Sequence, residues 1–177
     1  MNPEEKMNNY IQLEIEKKFM VQSLPDNLEA YEHHTIEQGY LSTSPVVRVR
    51  RKDDNYILTY KSGGLMIREE HEHPLTADSY KHLLAKADGT VISKIRYLIP
   101  DKNNPELTIE LDVFRGGLSG FVMAEVEFSS KEDAMTYEPP AWFGDEVTTN
   151  PDFHNSNISA MTEDERISFL KKYAHNL

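Results

Sequence analysis

Residues 13–19 read Leu-Glu-Ile-Glu-Lys-Lys-Phe, with apolar side chains at 13, 15 and 19 and charged ones at 14, 16 and 18. A period of two is typical of a β-strand, whose successive side chains point to opposite faces. The same alternation recurs along the chain, and it repeatedly places like charges two residues apart. These pairs are Glu14/Glu16, Arg48/Arg50, Lys94/Arg96, Glu110/Asp112 and Glu125/Glu127.

The alternation predicts strands near residues 13–19, 47–50, 56–61, 67–73, 94–97, 107–113 and 124–128. Capping residues predict three helices: from Thr76 to about Ala87, from Ser129 or Ser130 to Tyr137, and over 162–175. In the last helix Thr162 and Glu165 form a capping box, and Ile167, Leu170 and Tyr173 form the expected buried stripe. Strands dominate, so the predicted class is α+β on a largely antiparallel sheet or barrel.

Composition narrows the classes of protein that fit. The length of 177 residues suits one domain, with residues 1–10 expected to form a flexible extension. The absence of cysteine excludes disulfide scaffolds, cysteine-ligated zinc and thiol catalysis. The net charge of −11 argues against general nucleic-acid binding. No apolar run approaches the roughly 18 residues that span a bilayer, and the polar N-terminus is unlike a secretory signal, so we expect a cytoplasmic protein.

The sorting of charges is the strongest signal in the sequence. Like charges on one strand face repel each other, and an ordinary solvated surface would mix the two signs. We therefore predict that the sheet closes into a barrel with the charged faces around a polar lumen and the apolar faces packed outward against helices. The predicted lumen bases are Lys18, Arg48, Arg50, Lys61, Lys94 and Arg96. The predicted lumen acids are Glu14, Glu16, Glu110, Asp112, Glu125 and Glu127.

Buried charges are costly unless they are paired or bind something. The bases can surround a polyanion, and the acids can hold Mg²⁺ or Mn²⁺, which prefer carboxylate oxygens. Six bases and six acids cancel. Two divalent ions would then add about +4, which matches the roughly four to five negative charges of a triphosphate.

At this point the residues resemble a known family, the CYTH domain, also called the triphosphate tunnel metalloenzymes. Glu14-Ile15-Glu16-Lys17-Lys18 resembles the ExExK signature of that family, and the other charged motifs follow in the family's order to about Ser159. Its motif order is most similar to that of small bacterial inorganic tripolyphosphatases. The resemblance implies an eight-stranded antiparallel tunnel that binds triphosphate through basic residues and metal through acidic ones.

The resemblance also implies a reaction, which is metal-dependent hydrolysis of a triphosphate. We expect tripolyphosphate to yield pyrophosphate and phosphate, with nucleoside triphosphates as a further candidate substrate and one or two Mg²⁺ or Mn²⁺ ions as cofactor. The predicted catalytic residues are Glu14, Glu16 and Lys18. The predicted phosphate ligands are Lys18, Arg48, Arg50, Lys61, Lys94 and Arg96. The predicted metal ligands are Glu14, Glu16, Glu125 and Glu127, with Glu110 and Asp112 in the first or second shell.

Two other functions stay open at this stage. A class IV-like adenylate cyclase would share nearly every charged residue, but the inferred lumen offers no aromatic side chain to stack on adenine. A non-catalytic binder of triphosphate or polyphosphate would tolerate loss of the acids, which are all present. The expected partner is a small triphosphate, with no membrane, and the protein itself is expected to be a monomer or a homodimer.

Some local motifs receive a more ordinary interpretation. Relatives usually place Arg or Lys before the aromatic residue near the C-terminus, whereas this chain has Asp152-Phe153-His154-Asn155, so His154 is a candidate for the missing cation. His71 and His73 share a strand face, but no further zinc ligands with the usual spacing accompany them. The segment Lys61-Ser62-Gly63-Gly64 is interpreted as a hairpin turn, with Lys61 pointing into the lumen.

Overall fold

The computed structural model describes residues 12–62 and 67–174. The extension predicted over residues 1–10 lies outside the described residues. So do Gly63 and Gly64 of the predicted hairpin turn, and the last residue of the helix predicted over 162–175.

Strands form most of the described structure. They are β1 (Gln12–Val21), β2 (Glu32–Thr43), β3 (Val46–Lys52), β4 (Asn55–Lys61), β5 (Ile67–Pro74), β6 (Asp88–Pro100), β7 (Thr108–Phe114), β8 (Val122–Glu127) and β9 (Phe143–Glu146). The α-helices are α1 (Ala77–Leu84), α2 (Lys131–Thr136), α3 (Asn155–Ala160) and α4 (Glu163–Tyr173). Short 3-10 helices cover Leu28–Ala30, Gly116–Leu118 and Pro151–Phe153.

All the strands belong to one antiparallel sheet, in the order β5-β4-β3-β2-β6-β7-β8-β1-β9. The sheet curls until β5 also pairs with the first part of β1, from Gln12 opposite Glu70 to Ile15 opposite Ile67. Eight strands thus surround a common interior, and β9 adds to the second part of β1. The predicted α+β class and antiparallel barrel are confirmed.

Two of these strands were not predicted from the alternation. Strand β2 pairs with β3 on one side and β6 on the other, but buried Gln38 and Gly39 interrupt its apolar alternation. Gly39 is required because a Cβ there would lie 2.7 Å from Leu84 Cδ1, so glycine allows α1 to pack closely on β2. Strand β9 has four residues, too few to show a period.

One hydrophobic cluster covers the outer face of the barrel. It contains Ile15, Phe19, Tyr97, Leu111 and Val126, which alternate with the charged residues of their strands. Ala134 of α2 and the Tyr137 and Trp142 side chains pack against it. The prediction that apolar faces turn outward is therefore confirmed for β1, β6, β7 and β8.

A second cluster departs from the prediction that all apolar faces turn outward. Ile92, Phe114 and Met123 alternate in step with Lys94, Asp112 and Glu125, so they continue the inner face of β6, β7 and β8. They pack with Phe153, with Ile158 of α3 and with Phe169 of α4. The interior is therefore charged along part of its length and apolar at one end, which these helices cover.

The predicted helix starts are confirmed. Thr76 and Ser130 accept hydrogen bonds from Ser79 and Asp133 backbone amides, and the Thr162/Glu165 capping box is present. Helix α1 ends at Leu84, before the predicted Ala87, because the chain turns there into β6.

The predicted stripe of α4 is wrong at Ile167, which is 43% exposed, whereas Phe169 is buried. The helix meets the second cluster through Phe169, Leu170 and Tyr173, so the buried face is rotated from the predicted one. No helix within residues 12–62 and 67–174 has the length and apolar character needed to cross a membrane.

Candidate active site

The barrel encloses a cavity of about 400 Å³ to which every one of its eight strands contributes a side chain. Seven carboxylates line it: Glu14, Glu16, Glu70, Glu72, Glu110, Glu125 and Glu127. Five basic side chains of the described part line it: Lys18, Arg48, Arg50, Lys61 and Arg96. The predicted charged lumen is confirmed, but its members differ from the predicted set, because Glu70 and Glu72 join it whereas Lys94 and Asp112 do not line the cavity.

Strand β1 contributes Glu14, Glu16 and Lys18 through its two-residue period. Lys18 Nζ lies 2.9 Å from Glu16 Oε1 and 2.6 Å from Glu125 Oε1 on the neighbouring strand β8. Burial alone would lower the pKa of Lys18, but Glu125 and Glu16 outweigh it and raise that pKa above its ordinary value. Lys18 is therefore a buried, fully charged ammonium group held between two carboxylates.

Arg96 of β6 is the most heavily paired cation in the site. Its Nε lies 2.7 Å from Asp112 Oδ1, and one terminal nitrogen lies 2.6 Å from both Asp112 Oδ2 and Glu125 Oε2. The other terminal nitrogen donates to Glu110. Antiparallel pairing places Arg96 directly opposite Asp112. The three carboxylates outweigh burial and raise the pKa of Arg96 above its ordinary value.

Lys94 and Asp112 lie beneath the cavity and do not line it. Both side chains are completely buried, and Lys94 donates to Asp112, which Arg96 also contacts. Lys94 Nζ also lies 5.4 Å from the centre of the Phe114 ring, at the border with the apolar cluster. Burial and the charge of Arg96 lower the pKa of Lys94 to about 8, against the opposing effect of Asp112. Asp112 is predicted in the first or second shell of a metal, and its depth favours the second shell, because Arg96 separates it from the cavity. The predicted contact of Lys94 with phosphate stays a prediction.

Strands β3, β4 and β5 form the opposite wall. Lys61 Nζ lies 2.6 Å and 2.7 Å from the two carboxylate oxygens of Glu14 and 3.4 Å from Glu70 Oε2. Arg48 lies 3.6 Å from Glu70 and donates to Thr59 Oγ1 at 3.2 Å. The Arg48 Nε atom is buried and has no hydrogen-bond partner in the part of the chain that the structure describes, so one donor in this wall is unsatisfied.

Arg50 differs from the other cavity cations. Its Nε donates to the Gln38 side-chain oxygen at 3.2 Å, and no carboxylate among residues 12–62 and 67–174 lies within ion-pair distance of it. Burial and the like charges of Arg48 and Arg96 lower the pKa of Arg50 to about 10. Three guanidinium groups thus crowd one region with an incomplete set of counterions, which favours the binding of an anion.

Glu127 is the corresponding exception among the acids. Its side chain lines the cavity, and partial desolvation of its carboxyl within the barrel, together with the charges of Glu14, Glu110, Glu70 and Glu16, raises its pKa. No basic group among the side chains that the structure describes lies within ion-pair distance of it. The acids therefore repel one another here, a repulsion that a bound cation would relieve.

These carboxylates have the donor chemistry for a hard divalent cation. Within the described ranges, however, no three carboxylate or imidazole side chains converge closely enough to form a ready metal site. The reason is that Glu14, Glu16, Glu110 and Glu125 already hold lysine or arginine side chains. The residues fit a metal ion whose binding exchanges these internal ion pairs.

Sequence reasoning missed three lining residues. Glu70 and Glu72 share the inner face of β5, where the same alternation could have revealed them. Tyr40 of the unpredicted strand β2 also lines the cavity, so the lumen contains an aromatic side chain that the alternation did not place there. Tyr40 is 3% exposed, and its hydroxyl accepts a hydrogen bond from Gln38 Nε2 at 2.8 Å.

The histidines occupy different surroundings. His154 lines the cavity next to Asn155 and Ser156, and its Nε2 lies 3.5 Å from the Thr148 carbonyl oxygen. Its predicted role as a cation stays a prediction. His71 packs against the Tyr60 ring on the outer face of β5, with the ring centres 5.9 Å apart.

Comparisons with known proteins agree with this geometry. A family model described as the CYTH domain matches residues 12–162. An inorganic triphosphatase of Nitrosomonas europaea is 37% identical over 153 residues, covering 82% of this chain and 96% of the relative. An inorganic triphosphatase of Acetivibrio thermocellus is 33% identical over 153 residues, covering 82% and 92% respectively. A crystal structure of the inorganic triphosphatase NE1496 aligns with a TM-score of 0.65 at 32% identity, covering 84% of this chain and 95% of that chain.

Proposed function

The chain belongs to the CYTH domain family, and we propose that it is a metal-dependent inorganic triphosphatase that hydrolyses tripolyphosphate to pyrophosphate and phosphate. The observation that carries the proposal is the segregation of charge within one cavity. Among the side chains that the structure describes, Arg50 has no carboxylate and Glu127 has no basic group within ion-pair distance. Arg50 lies with Arg48 and Arg96, whereas Glu127 lies with the other glutamates. A linear triphosphate with bound divalent cations satisfies both groups at once.

The arginine group binds the phosphates in this proposal. Guanidinium groups can contact phosphate oxygens with two parallel hydrogen bonds, and Arg48 and Arg50 both have donors that are not committed to carboxylates. Charge spreads over the oxygens of the transferred phosphoryl group in the transition state. Fixed cations in an enclosed site stabilise that charge without reorganisation, which is the largest contribution expected from the chain.

The glutamate group holds the metal in this proposal. Glu14, Glu16, Glu125 and Glu127 are the proposed ligands, and Glu110 is an additional carboxylate at the cavity. A bound Mg²⁺ or Mn²⁺ ion would supply Lewis acidity and lower the pKa of a coordinated water. Lys18 and Lys61, released when their glutamates turn to the ion, would donate to the phosphates. The cytoplasmic location and the state as a monomer or homodimer stay predictions.

The deciding experiment measures phosphate release from tripolyphosphate, pyrophosphate and ATP, with Mg²⁺, with Mn²⁺ and with excess EDTA. We expect tripolyphosphate to be the best substrate and EDTA to abolish turnover. Arg50→Gln should lower turnover by about 100-fold or more, because it removes a transition-state donor. The matched control is Arg51→Gln on the same strand, whose exposed side chain donates to the Asp53 carbonyl oxygen outside the cavity; it should retain activity. Turnover that persists in EDTA, or equal losses in the two variants, would contradict the proposal.

A further inference from the structure

Gln38 is a completely buried amide on β2 that lies directly opposite Arg50 on β3. Both the oxygen and the nitrogen of this amide make hydrogen bonds. Its oxygen accepts from Arg50 Nε at 3.2 Å, and its Nε2 donates to the Tyr40 hydroxyl at 2.8 Å. The result is a chain of hydrogen bonds from Tyr40 through Gln38 to Arg50, along the wall of the cavity.

The chemistry of the partners fixes the orientation of this amide. A guanidinium can only donate hydrogen bonds, so the Gln38 oxygen must face Arg50. The amide nitrogen must then face Tyr40, whose hydroxyl oxygen accepts. Because Gln38 is enclosed on all sides, it cannot rotate away without losing both bonds, and leaving buried polar groups unpaired is costly.

The neutrality of Gln38 sets it apart from the partners of the other cavity cations. Lys18, Lys61 and Arg96 each lie within 2.9 Å of a carboxylate oxygen, and Arg48 lies 3.6 Å from one. Arg50 faces an amide instead. An amide can hold a guanidinium in place by hydrogen bonding, but it does not neutralise the positive charge.

We propose that Gln38, itself held by Tyr40, is a positioning residue that fixes Arg50 while leaving the charge of Arg50 available to the triphosphate. The inference rests on the proposed function of the cavity. Arg50 would then be the first cation that an incoming triphosphate meets uncompensated, whereas the other basic groups must first leave a carboxylate. The identity of residue 38, glutamine and not glutamate, would set how strongly the empty site attracts an anion.

The test is Gln38→Glu, which preserves the shape of the side chain and adds a carboxylate facing Arg50. We expect the affinity for tripolyphosphate, measured by calorimetry without metal, to fall by about tenfold or more. We expect the melting temperature of the ligand-free protein to rise, because the new carboxylate pairs with a buried cation. Misfolding would lower both the affinity and the melting temperature, so a fall in affinity with a rise in melting temperature is not explained by misfolding. The matched control is Gln22→Glu, which adds the same charge at an exposed site.

Further measurements distinguish a failure of the proposed triphosphatase function from a failure of the proposed role of Gln38. If the wild-type protein neither binds nor hydrolyses tripolyphosphate, with or without metal, the proposed function fails. If the wild type binds it and Gln38→Glu binds equally well, or if affinity and stability fall together, only the role of Gln38 fails. In an Arg50→Gln background, Gln38→Glu should cost little further affinity. If Gln38→Glu does not fold, Gln38→Met decides, because it removes the hydrogen-bond acceptor of Arg50: a raised KM together with a lowered kcat supports positioning, and unchanged KM and kcat overturn it.

Discussion

Lys61 Nζ lies within 2.7 Å of both carboxylate oxygens of Glu14, and this ion pair joins two strands, β4 and β1, that are not neighbours in the sheet. The pair spans the inner face of β5, whose Glu70 also lies 3.4 Å from Lys61. A carboxylate proposed to bind metal and an ammonium group proposed to bind phosphate therefore neutralise each other when the cavity holds neither ligand.

This relationship implies that the two ligands assist each other. A triphosphate that takes Lys61 releases the oxygens of Glu14 for a metal ion, and a metal ion that takes Glu14 releases Lys61 for phosphate. The same exchange is available at Lys18, which lies between Glu16 and Glu125. Such coupling is reciprocal by thermodynamic necessity.

Lys61→Met should therefore strengthen the binding of Mn²⁺ in the absence of triphosphate, because Glu14 no longer has a competing cation. The same change should weaken tripolyphosphate binding without metal. Calorimetric titration of each ligand alone measures both effects, and we expect opposite shifts of about fivefold or more. Lys17→Met is the matched control, because Lys17 pairs with Glu146 away from the cavity. Weaker Mn²⁺ binding in Lys61→Met would contradict the exchange.

Much of the fold could be predicted because alternation assigns each side chain to a face. In β7, Glu110 and Asp112 turn inward while Ile109 and Leu111 turn outward, as their period of two requires. Strand β2 escaped prediction because its inner face carries Gln38 and Tyr40 in place of like charges. There the requirement for close packing with α1 and for a neutral partner to Arg50 overrides the pattern.

The depth of each residue along the barrel could not be predicted. Glu110, Asp112 and Phe114 share one face of β7, yet the first lines the cavity, the second lies beneath it and the third joins the apolar end. The depth of a residue depends on which helices cover the apolar end of the barrel. That packing is tertiary, so the alternation along one strand does not predict it.

Glu127→Gln should abolish most metal-dependent activity and yet raise the stability of the ligand-free protein at pH 7. Burial and neighbouring glutamates raise the folded-state pKa of Glu127 above 4.5. A carboxyl with a raised pKa destabilises the fold where it is ionised, and stability returns as the pH falls through that pKa. The stability difference between variant and wild type should thus be positive at pH 7, about 1–2 °C, and shrink toward pH 4.5.

Melting curves across this pH range, with Glu132→Gln as an exposed control on α2, measure the difference. A Glu127→Gln protein that melts below the wild type at pH 7 would show that Glu127 has a stabilising partner.

ATP should be a poorer substrate than tripolyphosphate and should yield ADP and phosphate without cyclic AMP. The aromatic rings at the cavity, among the described residues, are those of Tyr40 and His154. Tyr40 is 3% exposed with its hydroxyl bound to Gln38, and His154 is 7% exposed, so neither ring is free to stack on adenine. Chromatography of the products formed from ATP checks this expectation. Cyclic AMP as the main product would instead favour the cyclase alternative.

Variants of the buried pair of Lys94 and Asp112 should have different effects on thermal stability and on tripolyphosphate binding. Asp112→Asn leaves the completely buried Lys94 without its carboxylate, and breaking a buried pair in this way costs about 3–5 kcal/mol. The double variant Lys94→Met/Asp112→Leu removes both charges together, and such replacements are often neutral or stabilising. We therefore expect the double variant to melt well above Asp112→Asn, as measured by calorimetry.

In the double variant Arg96 would nevertheless lose both Asp112 oxygens that orient it from below. The stable double variant should accordingly bind tripolyphosphate about tenfold less tightly; wild-type affinity in that variant would show that Glu110 and Glu125 position Arg96 without help from beneath the cavity.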